Sequence, residues 1–175
     1  MKRIFSIVAL ILTVSLSAAY CDDGPTDPSD EPGPTFRATL TTANEVPAVT
    51  NAEAGASGVM DITINAERDA AGTITGGTVS FNGTLTGFAA GTAITAAHIH
   101  SGAAGAVGPP VVNLNLTPGQ ITLANGSGAI VKADVGPADV ATLAQIVANP
   151  SGFYFNAHTT LNPGGAVRGP LVRTN

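Results

Sequence analysis

"GVMDITI", residues 58–64, decides the fold class. Met60, Ile62 and Ile64 recur at every second position, with Val59, Asp61 and Thr63 between them. In a strand, alternate side chains share a face, whereas a helix would scatter these three around its axis. Ile, Val and Thr also suit a pleated, half-buried surface. The segment therefore reads as a strand with one apolar face.

The same period extends in both directions. Upstream, "FRATLTT" (36–42) puts Phe36, Ala38 and Leu40 on one face. Downstream, "TVSFNGTL" (78–85) aligns Val79, Phe81 and Gly83, and "VVNLNL" (111–116) aligns Val112, Leu114 and Leu116. "SGAIVKADV" (127–135), "GFYFNAHT" (152–159) and "GAVRGPLV" (165–172) continue the series. Turn signals such as "AAGT", "TGG" and "NPGG" separate the runs, because Gly, Pro and Asn accept the tight backbone angles that turns require. Only "GPADVATLAQIVANP" (136–150) suits a helix. Pro137 fits its first helical position, and Val140, Leu143, Ile146 and Val147 fall near one face. With no alternation of strands and helices, the expected class is all-β. The architecture is an antiparallel Greek-key β-sandwich or flattened barrel of about seven to eight strands with one short helix.

A chain of 175 residues holds one domain and appendages. "MKR" followed by the apolar "IFSIVALILTVSLSAA" and the small residues Ser17, Ala18 and Ala19 reads as an export signal over residues 1–21. Cys21, the single cysteine, cannot form an internal disulfide. Its place after the apolar run resembles the lipid-modified cysteine of bacterial lipoproteins, although Tyr20 departs from the small residue usual before it. Residues 22–35 carry four prolines and five acids. They lack the apolar area to offset ordering entropy and read as a disordered tether. The domain then spans residues 36–175, in an extracytoplasmic setting: secreted, periplasmic or held at the outer surface by lipid.

From residue 36 onward seven acids face five bases. There is no basic stripe for nucleic acid and no series of aromatic platforms for single strands. The membrane is reached only through the lipid anchor, if Cys21 carries one. No nucleophile and base stand together, and "SGAAGAVGPP" (101–110) lacks the Lys-Ser/Thr ending of a phosphate loop. Its glycines read as allowing a tight crossover. "NGT" at Asn82 and "NGS" at Asn125 read as turns.

The chain has three histidines, and alternation assigns all of them to non-core faces. In "AAHIHS" (96–101) the large apolar residue is Ile99, so Ile99 turns inward while His98 and His100 point outward together. In "FYFNAHT" Phe153, Phe155 and Ala157 form the apolar face, leaving Tyr154, Asn156 and His158 on the other. Three neutral imidazoles can bind copper or zinc. They form one site only if the two strands are neighbours. Arg168 falls outward on the last strand; beside the histidines it could attract an anion, while the plainer reading is a surface ion pair with Glu45.

Three motifs in order, "FRATLTTANEVPAVTNAEAGASG", "AAHIHSGAAGAVGPPVVNL" and "GFYFNAHTTLNPGGAVRGPL", resemble the CHRD domain, first described in chordin and widespread in exported bacterial proteins. The resemblance spans about residues 36–173. Departures are Ala48 for a common proline, Gly165 for a common acid, and "VRGPL" for "IRGQL". It implies an extracytoplasmic all-β domain and no established activity. The His-x-His strand, the late histidine and the terminal Arg-Gly strand are also similar to the layout of copper-zinc superoxide dismutases. That similarity implies His98, His100 and His158 as metal ligands and Arg168 as an anion guide. No fourth histidine exists to build a second metal site, so one ion is the most it implies. The function expected from the sequence is a surface-tethered module that binds a protein or matrix component without catalysis. The alternative is a mononuclear copper or zinc domain.

Overall fold

A computed structural model describes residues 33–136 and 138–175. The expected signal peptide, the lipidation site Cys21 and all but the last residues of the tether lie outside the described residues.

Met60, Ile62 and Ile64 are fully buried on one face, as are Phe36, Ala38 and Leu40 of the neighbouring strand. Among the described residues ten strands form: Thr35–Thr41 (β1), Ser57–Arg68 (β2), Ile74–Thr86 (β3), Thr92–Ser101 (β4), Pro110–Asn113 (β5), Ile121–Leu123 (β6), Gly128–Val135 (β7), Phe153–Thr159 (β8), Val167–Pro170 (β9) and Val172–Arg173 (β10). Their order is β5-β4-β8-β9-β1-β2-β3-β7, with β6 also against β4 and β10 against β1, and the pairings are antiparallel. Late strands return to early ones: β7 lies on β3, β8 on β4 and β9 on β1. This is Greek-key connectivity. The two shortest strands, β6 and β10, lie off the main path of eight.

The sheet is strongly curled. Phe81 on β3 and Phe155 on β8 are four steps apart in the strand order, so a flat sheet would hold them about 19 Å apart at its normal strand spacing. Their ring centroids are 5.9 Å apart. The two rings therefore meet across the interior of a barrel. Its ends are brought together by the short connection from β6, beside β4, to β7, beside β3. One continuous apolar core fills it.

The helix Val140–Ala148 (α1) buries Leu143 and Ile146. It begins at Val140 rather than Pro137, because the Asp139 carboxylate accepts the backbone N–H of Thr142 at 2.8 Å and so caps the first turn. Pro137 itself is outside the described residues. Three smaller expectations also change. "VVNLNL" is a strand only as far as Asn113, because Asn115 takes a left-handed backbone angle (φ 50°) that ends the pairing. Asn82 lies inside β3, opposite Asp61 and Val131, and is no turn; Asn125 is in one. The glycine-rich loop 102–109 is a hairpin loop between the paired strands β4 and β5, not a crossover.

Candidate metal centre

Strands β4 and β8 are hydrogen-bonded neighbours, with Ala96 opposite His158, His98 opposite Asn156, and His100 opposite Tyr154. His98 and His158 are thus diagonal neighbours on one face, and His100 shares it by the period of two. The opposite face carries Ile99 and Phe155, both 0% exposed. Burying each such side chain is worth roughly 1.5–3 kcal/mol, which holds the parity of both strands and thereby the direction of every imidazole. All three histidines come together.

The outer face is not wet, however. His100 is 8% and His158 7% exposed, and every residue of β8 is buried. Alternation along one strand sets the direction of a side chain but not what covers it. Loop 102–109 folds back over His100, whose Nδ1–H donates to the carbonyl of Gly108 at 2.9 Å. The turn after β8 folds back over His158, whose Nδ1–H donates to the carbonyl of Pro163 at 3.0 Å. A carbonyl only accepts, so both rings are protonated at Nδ1 and present Nε2 as a lone pair.

The Nε2 of His158 stands 3.1 Å from Nδ1 of His98. The Nε2 of His100 is buried and has no hydrogen-bond partner among the described residues. One ligand atom from each ring lies within 4.8 Å of those of the other two. Metal–imidazole bonds of about 2.0 Å in a tetrahedral site set ligand nitrogens about 3.3 Å apart. The His98–His158 pair already stands at this spacing, with the third nitrogen close by.

Burial keeps the rings neutral. Desolvation, with His158 and His100 alongside, brings His98 down to about 4. Burial also lowers His100 and His158, against the opposing pull of their bonds to Gly108 and Pro163. Neutral imidazoles are what a metal requires. Backbone carbonyls bonded to the far nitrogens of two of them are the usual means of holding ring and tautomer in place.

Tyr154 stacks on His100, with centroids 4.9 Å apart and planes 12° from parallel. Arg168 approaches Tyr154 from β9, its guanidinium carbon 4.6 Å from the ring centroid. Because β4 and β9 flank β8, Tyr154 separates His100 from Arg168. Expectation and structure part again here. Arg168 is 4% exposed, not a surface residue. Its Nε donates to the Asn44 carbonyl and its Nη1 to the Ala106 carbonyl at 2.9 Å. Glu45, 7% exposed, is its ionic partner at 3.9 Å. Burial pushes the Glu45 carboxyl up to about 7 although Arg168 opposes the shift. Above that pH the ionised Glu45 balances the Arg168 charge within the fold. Gly165, where an acid was noted as common, adopts φ 141°, and a Cβ there would stand 2.6 Å from both Glu45 Oε2 and Asn156 Nδ2.

The parity of "FYFNAHT" places Tyr154 beside the histidines, but its stacking on His100 depends on strand pairing. The Gly108 and Pro163 carbonyls have no signature in side-chain sequence at all.

The model of the CHRD domain matches residues 36–171. The chain belongs to the CHRD-domain family. No match was found among curated proteins, and none among solved structures.

Proposed function

We propose that this domain is a mononuclear transition-metal-binding module. Its ligands are His98, His100 and His158, and its metal is copper or zinc. The carrying observation is the convergence of three imidazole nitrogens, two of them aimed by backbone carbonyls, with the buried Nε2 of His100 lacking a protein partner. Orphaned buried acceptors are costly, and a cation bound there would satisfy this one. The hydrogen between His98 and His158 lies where a metal would bond, so loading requires the neutral His98 ring to carry its hydrogen on Nε2 instead. His98 is the least buried of the three, so a fourth ligand from solvent would enter on its side. Three histidines and an open position suit Lewis-acid or one-electron chemistry at the ion. Export and lipid anchoring, supported by residues 1–21 alone, put this centre outside the cytoplasm. Binding of a protein or matrix component is supported by the family and the tether only.

Purified protein stripped with a chelator and then titrated with Cu(II) or Zn(II) tests the proposal. A metal present at a hundred times its Kd adds about 2.7 kcal/mol of stability, so the melting temperature rises. The paired substitution His98→Ala and His100→Ala abolishes the rise. A melting temperature that neither metal moves overturns the reading.

A further inference from the structure

The surroundings of the three histidines restrict, by charge, the ion they can hold. The ligands are neutral imidazoles, and among the described residues no thiolate or carboxylate joins the converging group. The two rings bonded through Nδ1 donate to backbone carbonyls, which carry no formal charge, where a carboxylate is the common alternative. The buried acids of this region are engaged elsewhere. Glu53 accepts from Thr159 and Asn162. Glu45 is the ionic partner of Arg168, so that pair is neutral when Glu45 is ionised and positive when it is not. Arg168 faces His100 across the stacked ring of Tyr154.

A bound ion would therefore keep its whole charge where His100 and His158 are more than nine-tenths buried. The cost of taking an ion out of water rises with the square of its charge, about fourfold from a monovalent to a divalent ion of equal size. A divalent ion would also need an anion from solvent as its fourth ligand. Three imidazoles alone complete the coordination of a cuprous ion, whose filled d shell imposes no geometry. From the metal-binding function proposed above, on which this preference rests, we infer that the three histidines take Cu(I) as a three-coordinate ion, ahead of Zn(II) and Cu(II).

The test uses purified protein stripped of metal and kept free of oxygen, with each ion supplied separately at free concentrations set by a chelator buffer. The melting temperature is read against free Cu(I), Zn(II) or Cu(II). Half of the full rise should fall at a free Cu(I) concentration roughly tenfold or more below that for either divalent ion. Ala96 is opposite His158 on the same face and only half-buried, so a carboxylate placed there should be tolerated. Ala96→Asp supplies the missing negative charge and should bring the Zn(II) midpoint down toward that of Cu(I), by roughly tenfold. Ala96→Asn has the same shape without the charge and should leave the order of the ions unchanged. Zn(II) or Cu(II) acting on the unaltered protein at free concentrations as low as Cu(I) overturns the preference for Cu(I) and leaves metal binding standing. So does a Zn(II) midpoint that Ala96→Asp moves no further than Ala96→Asn. A melting temperature that none of the three ions moves overturns both the preference and the metal site.

Discussion

His158 receives three constraints on a single ring. Its strand parity follows from Phe155 and Ala157 turning inward, its tautomer from the Pro163 carbonyl, and its neutrality from burial. The sequence contains the first of these and not the other two, because the cover over an outward face comes from a turn whose return path has no local code. Glu45 makes the same point with a measurable consequence. Its folded value, about 7, lies above the ordinary 4.5. A raised value means that the neutral form is favoured in the folded state, so the contribution to stability is present below pH 4.5 and is lost as pH rises through 7. Compared with Glu45→Gln, the unaltered metal-free protein should therefore lose stability across that window in denaturant melts. The histidines act in the opposite direction, but they do so in both proteins and cancel in the difference. Parallel curves would show that Glu45 is not buried against Arg168 as described.

Strand β8 is the element that organises the site. Its inner face supplies Phe153, Phe155 and Ala157 to the core, and its outer face supplies Tyr154, Asn156 and His158 beneath the covering loops. Alternation made both sets legible from "FYFNAHT". It could not reveal that β4 is a neighbour, since antiparallel partners distant in sequence leave no mark on either strand; β9 follows β8 directly across the turn 160–166. Close approach of β9 to β1 depends on Gly169, where a Cβ would collide with the backbone carbonyl of Thr39. Gly169→Ala should cost about 1–3 kcal/mol through overpacking. Gly164→Ala, at an exposed position with open space around it, should stay within about 0.5 kcal/mol. Equal melting temperatures for the two variants would contradict the tight β9–β1 contact.

At the scale of the molecule, one curled sheet both closes the core and concentrates the histidines on its outside. The Phe81–Phe155 contact spans that interior. Phe155→Ala should cost about 3–5 kcal/mol, read as a lower denaturation midpoint, and a loss below about 1 kcal/mol would argue against a filled barrel. The sequence alone determined eight of the ten described strands, their inward residues and the common parity of the three histidines, because a period of two is a property of the extended backbone. Only the tertiary structure decided that β4 and β8 are partners, that two carbonyls aim the rings, and that Arg168 is buried against Glu45. Those outcomes depend on long-range pairing and on loops that return over a face, and neither is encoded in neighbouring residues.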